Sequence, residues 1–194
     1  MWSLKRFFVC IYSLITILRL YFLLGKFYKK VRVWGGVVDF NIKGNLILPY
    51  NDKMVFVNNS KQSTLGISRP CKLTVYKDAS LAIRGCIGMS NAVIVATKRI
   101  EIGSNVMIGG GVTIIDSDFH SSDYNDWFTE RDEKNMASKE VKIGNNVFIG
   151  MNSIILKGVS IGDGAMIAAG SVVSKNIPMN EVWGGNPAKF IKMR

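Results

Sequence analysis

His120 is the only histidine in a chain of 194 residues. It lies in the segment "IDSDFHSSDYNDWFTERDEKNMASKE" (115–140), with Asp118 two residues and Asp116 four residues before it. An imidazole titrates near neutral pH, so it can take the proton from a hydroxyl that is otherwise a poor nucleophile. A group hydrogen-bonded to the other ring nitrogen would orient the ring and stabilise its protonated form. Asp116 and Asp118 are the candidates for that work, and a backbone carbonyl could do the same. A lone surface histidine in a solvated acidic loop is the competing reading. Three cysteines, Cys10, Cys71 and Cys86, form no CxxC pair, so one histidine has no partners for a zinc site. No catalytic metal is expected, and the thiols read as reduced and structural.

The residues that flank this loop are periodic. From Ile143, steps of six reach Ile149, Ile155, Ile161, Ile167 and Val173. Two residues earlier run Val141, Val147, Ser153, Val159, Ala165 and Ser171, all small or β-branched. Upstream, Ile102, Ile108 and Ile114 continue the series, preceded at the same offset by Ile100, Val106 and Val112. Farther back, Ile83, Met89 and Val95 repeat it with Leu81, Ile87 and Val93, and one extra residue lies between Val95 and Ile102. Neither a helix nor an alternating strand has a period of six. A short strand and a turn repeated every six residues does, if three units close a triangular coil and the coils stack. Every sixth aliphatic side chain then joins a ladder inside a prism. Small residues follow the ladder positions (Gly144, Gly150, Gly162, Ala168), where a sharp bend leaves little room for a side chain. Before Leu81 the repeat is hard to follow, and "KMVFVNN" and "LTVYKDASLAI" read as irregular rungs or strands. Residues 116–140 are an excursion from this coil, and a loop of that length is often functional.

The aliphatic–Gly-x-x-small-x pattern resembles that of the hexapeptide-repeat acyltransferases. "VTIIDSDFH", "IGNNVFIG" and "GGNPAKFIKMR" resemble the branch that acetylates maltose, galactosides and xenobiotics, including the polysaccharide O-acetyltransferases. The resemblance is strong over residues 80–194 and weak over 31–79. It implies an all-β fold, a left-handed parallel β-helix, with acetyl-CoA as co-substrate, a homotrimer with active sites between subunits, and direct transfer with His120 as general base. It also implies that the cofactor lies along a groove lined by Gly150 and Ala169, with Ser174 and Lys175 toward its nucleotide end and Lys189 and Lys192 near its phosphates. Cationic side chains suit a polyanionic cofactor; a solvated basic tail is the alternative. Asn91, Trp127 and Phe148 are the acceptor-side candidates. Relatives often carry Trp where this chain has Phe148. Gamma-class carbonic anhydrases share the fold but need three histidines.

The N-terminal residues carry a different signal. Residues 1–34 hold seven basic residues and no acidic one, whereas 116–133 hold seven of the fourteen acidic ones. Lys5, Tyr12, Thr16, Arg19, Lys26 and Lys30 fall on one face at helical spacing, and the remaining surface is Phe, Leu, Ile, Val and Tyr. A basic stripe on an apolar helix is the pattern of an interfacial membrane helix. Packing on the protein body and a true span are the rivals, the span disfavoured by Arg19. No nucleic-acid-binding signature is present. The chain is thus expected to contain an amphipathic helix over 1–30 and a β-helix over 31–194. It should act in the cytoplasm, peripherally at the inner face of the membrane, on a sugar hydroxyl of a lipid-linked or envelope polysaccharide precursor. N-acetylation of an amino sugar and acetylation of an antibiotic are the alternatives.

Overall fold

The structure is a computed structural model and describes residues 2–26, 28–58 and 69–194, with side chains from residue 7 onward. Lys5, the first member of the expected polar stripe, has its side chain outside that set. A helix, α1 (Trp2–Leu24), comes first and ends at Gly25, whose φ of 67° suits a residue without Cβ.

Six coils follow. The first is Val31–Trp34 (β1), Asp39–Ile42 (β2) and Asn45–Ile47 (β3). The second is Met54–Val57 (β4), Lys72–Val75 (β5) and Ser80–Ile83 (β6). The third is Ile87–Ser90 (β7), Val93–Ala96 (β8) and Arg99–Ile102 (β9). The fourth is Val106–Ile108 (β10), Thr113–Ile115 (β11) and Val141–Ile143 (β12), with residues 116–140 looping out between the last two. The fifth is Phe148–Ile149 (β13), Ile154–Ile155 (β14) and Ser160–Ile161 (β15). The sixth is Met166–Ile167 (β16), Val172–Val173 (β17) and a bridge from Ile177 to Ile161. Glu181–Gly184 (β18) continues the first face and pairs antiparallel with Lys189–Met193 (β19).

Strands three apart pair in parallel, giving three sheets in register, the three walls of a left-handed β-helix. Inside, Ile108, Ile149 and Ile167 stack on one wall, Ile114, Ile155 and Val173 on the second, and Ile102, Ile143 and Ile161 on the third, all essentially buried. This is the ladder implied by the period of six. Corners are turned at Asn105, Asn146, Asn152 and Asn180, all at positive φ, a conformation Asn tolerates better than most residues.

Two details differ from the sequence reading. The described residues between 31 and 83 form two coils of parallel strands, β1–β3 and β4–β6, rather than irregular rungs; most of these strands are longer than those of the last two coils, so the period of six is diluted. Around β8 the buried residues are Ala92, Ile94 and Ala96, while Val93 and Val95 are only partly buried. The register slips by one at the shorter corner before β8, where the ladder steps from Met89 to Ile94, and the longer turn after β8 restores it at Ile102. Asp116 clasps that turn. Its carboxylate accepts from the backbone N–H groups of Thr97, Lys98 and Arg99 at 2.7–2.8 Å and from Thr97 Oγ1 at 2.9 Å.

The helix α1 is not separate from the prism. Leu20 and Tyr28 belong to the same buried cluster as the ladder. The free edge of β1 is covered by α1, where Ser13 Oγ accepts from Val33 N at 3.0 Å and donates to Val9 O. Thr16 is fully buried, and Arg19 donates to Val38 O at 3.1 Å. Part of the expected polar stripe therefore faces the protein.

Candidate active site

The loop that carries His120 is built on two buried carboxylates and one short helix. At its root, Asp116 holds the β8–β9 turn, Lys139 N donates to Asp116 O, and Ser117 bridges to Ser138, so the two ends of the loop are fastened together. Farther out, Asp126 accepts from Ser121 Oγ at 2.8 Å and Asn135 Nδ2 at 2.7 Å and pairs with Arg131. Those hydrogen bonds, Asn135 first, hold its carboxyl below the usual range. Thr129 caps the helix α2 (Glu130–Lys134), accepting from Arg131 N.

This helix delivers a residue the sequence reading missed. Asp132 Oδ2 lies 2.7 Å from His120 Nδ1, and its other oxygen accepts from Ser121 N at 2.7 Å. The hydrogen bond from His120, then that from Ser121, holds the Asp132 carboxyl below its ordinary value. The ring therefore has one nitrogen engaged by a fixed carboxylate, while its side chain is 69% exposed. That arrangement leaves Nε2 as the nitrogen for exchanging a proton with a substrate. Asp132 follows the histidine by twelve residues within an acidic run, so spacing alone could not single it out from its neighbours.

Neither expected orienting carboxylate touches the ring. Asp116 is fully buried and spends both oxygens on backbone N–H groups. Asp118 pairs instead with Lys157 of the fifth coil, which ties the loop down onto the prism. Both therefore position the loop rather than the imidazole.

The other expected residues fall on different parts of the prism. Gly150 and Ala169 stack at the corner between the first and second walls, and with Gly109, Phe148, Met151, Met166 and Val182 they line an apolar groove of about 490 Å³. A Cβ at Gly150 would come within 2.5 Å of Ala169 N. The missing side chain is thus demanded by the coil above, not only by a ligand in the groove. Asn91 lies at the same corner two coils below Gly150, but it is fully buried. Its Nδ2 donates to Arg69 O at 2.5 Å, and Arg69 covers it, donating to Asn91 O and Gly111 O. It therefore offers no acceptor contact from within one chain, a correction to its expected role. Its Oδ1 has no partner among the described residues.

His120 leaves the prism at the next corner, between the second and third walls. Exposed Ser174 and Lys175 lie two coils above, at that same corner, and exposed Lys189 and Lys192 lie on β19. Trp127 stays with the loop, its indole donating to Ser121 O at 2.9 Å. A whole prism wall separates the His120 corner from the Gly150–Ala169 groove. One chain therefore does not bring the imidazole to the groove. Among the described residues, no three His, Cys, Asp or Glu side chains cluster as metal ligands do.

Comparison with known proteins agrees with this architecture. The bacterial transferase hexapeptide (six repeats) family model matches residues 140–175. Galactoside O-acetyltransferase from Escherichia coli (strain K12) is 39% identical over 102 residues, 53% of this chain and 48% of that one. A candidate lipopolysaccharide biosynthesis O-acetyl transferase from the same strain is 35% identical over 103 residues, 51% of this chain and 53% of its own. Among solved structures, a hexapeptide-repeat acetyltransferase from Vibrio cholerae, complexed with acetyl coenzyme A, superposes with a TM-score of 0.52 at 31% identity, covering 58% of this chain and 60% of that one. The chain spans about half the length of the curated relatives it matches. Repeat, fold and likeness thus bear out the resemblance read from the sequence: the chain carries hexapeptide repeats and is similar to the galactoside and maltose branch of the hexapeptide-repeat acetyltransferases.

Proposed function

We propose that the protein is an acetyl-CoA-dependent O-acetyltransferase acting on a sugar hydroxyl of a glycan or its lipid-linked precursor, at the cytoplasmic face of the membrane. The observation that carries this reading is the His120–Asp132 pair at 2.7 Å on a loop braced to the β-helix. Acetyl-CoA would supply the acyl group as a thioester. His120 Nε2 takes the hydroxyl proton as the oxygen attacks the thioester carbon. The C–S bond breaks, and the same imidazolium returns the proton to the departing sulfur. Asp132 holds the ring with Nε2 outward and stabilises its positive charge in the transition state. No covalent enzyme intermediate is needed.

The groove at Gly150 and Ala169 is apolar and suits the pantetheine arm; Lys189 and Lys192 of the copy that supplies the groove, and Lys175 at the His120 corner of its neighbour, suit the phosphates. Because that groove and His120 occupy different corners, the working unit is a homotrimer in which one copy supplies the base and its neighbour the groove. The fold-sharing relatives that bind acetyl-CoA support the co-substrate, and the sugar-acetylating relatives support the acceptor class.

His120→Ala should leave coenzyme A binding unchanged and lower turnover by about 10²–10⁴ on a panel of hydroxyl sugars. Near-normal turnover in the folded variant would overturn the mechanism. Preference for amino sugars across the panel would redirect the reading to N-acetylation.

A further inference from the structure

Helix α1 presents two unlike faces. Ser13, Thr16 and Leu20 are buried against the first coil. On the opposite side, Phe7, Leu14, Leu18, Tyr21 and Phe22 form one exposed stripe, with Phe22 85% exposed. The helix has already buried the face it needs for folding. A second, aromatic-rich apolar stripe left in water is costly and marks a contact surface. Just beyond its C-terminal end stand Lys26, Lys29, Lys30 and Arg32, all exposed, and no acidic residue precedes Asp39. The apolar stripe and the basic collar together complement an anionic lipid surface.

We propose that α1 is an in-plane membrane-docking surface built into the end of the β-helix, and that the prism stands end-on upon an anionic bilayer. Phe7–Leu24 is long and apolar enough to cross a membrane. Crossing, however, would strip Leu20 and Thr16 from the core and break the bonds of Ser13 to Val33 and Arg19 to Val38. Lying flat keeps all of them. Orientation follows from the same contacts, because α1 covers the free edge of β1. The loop bearing His120 springs from the fourth coil. At about 4.8 Å per coil it stands roughly 15 Å above the first. That height matches a sugar carried on a lipid head group, a consequence for the acceptor that rests on the acetyltransferase reading.

Cys10 is exposed on the outward stripe, Cys71 is buried and Cys86 is half-buried. In the full chain carrying Cys86→Ser, an environment-sensitive dye on Cys10 should shift to the blue with phosphatidylglycerol vesicles. It should shift little with phosphatidylcholine alone, and salt should weaken the response. Quenchers placed shallow in the bilayer should act more strongly than deep ones. Lys29→Glu with Lys30→Glu should weaken vesicle binding by at least about tenfold. A Cys10 that cannot be labelled because copies of the chain cover it would overturn the proposal in favour of a subunit contact. Binding without anionic preference, or equally strong deep quenching, would also overturn it. Acetylation of a soluble sugar, measured on the same variants, should be unchanged. Loss of vesicle binding with that activity retained removes the docking surface alone. Vesicle binding in a protein that acetylates nothing leaves the docking surface and removes the enzymatic reading.

Discussion

Asp132 is where the structure adds most at the scale of single residues. It is a positioning residue, and its replacement should be separable from loss of the base itself. Asp132→Asn should lower kcat by less than His120→Ala does and leave KM for acetyl-CoA unchanged, because it loosens the ring without removing the base. The carboxyl also makes the loop sensitive to acid. Its folded pKa lies below the ordinary 3.8, because the His120 hydrogen bond favours the charged form. Stability from that contact is fully present above the ordinary value and is lost as pH falls through the lowered one. Asp126, depressed by Asn135 and Ser121, behaves alike. Trp127 fluorescence should therefore report the loop opening in acid before the β-helix unfolds, and Asp132→Asn should remove its share of that pH dependence. Coincident loss of loop and prism signals would contradict this.

For the elements, the inner ladder and the end helix make contrasting predictions. Ile155 is fully buried between Ile114 and Val173, so Ile155→Ala should cost about 2–5 kcal/mol, read by chemical denaturation. Gly150→Ala places a Cβ against the backbone of Ala168 and Ala169 and should cost about 1–3 kcal/mol with no ligand present. Along α1, two neighbouring apolar residues should behave oppositely. Leu20→Asp buries an unpaired carboxylate and should lower the melting temperature sharply. Phe22→Asp, on the exposed stripe, should leave it within a few degrees. Equal effects would mean that α1 is not docked as described. For the same reason, removing residues 1–30 should destabilise the prism, because it uncovers the end of the core around Val31 and Val33.

The whole molecule raises the question of what completes the site. His120 and the Gly150–Ala169 groove occupy different corners of one prism, so a shared site between copies predicts complementation. Mixed assemblies of His120→Ala chains with chains whose groove is blocked by Ala169→Trp should recover part of the activity that each variant lacks alone. No recovery in verified mixed assemblies would place the whole site within one chain.

The sequence by itself determined the repeat, the walls it builds, the limits of the inserted loop and the histidine within it. Those features are local and periodic. A period of six with small residues at the bends leaves few backbone shapes, and a break in it can be counted. Tertiary structure alone decided which acidic residue meets His120. Seven carboxylates crowd residues 116–133, and only the folded loop, with Thr129 starting α2 and Asp126 bracing it, turns Asp132 to the ring. It also decided the fate of Asp116, consumed by the extra residues after β8, and of Asn91, buried under Arg69. The helical stripe at the N-terminus was visible as a pattern, but a pattern does not say which side meets protein. That was decided by the open edge of β1, which needs hydrogen-bond partners and a cover for its core and obtains both from α1, leaving the aromatic stripe outward.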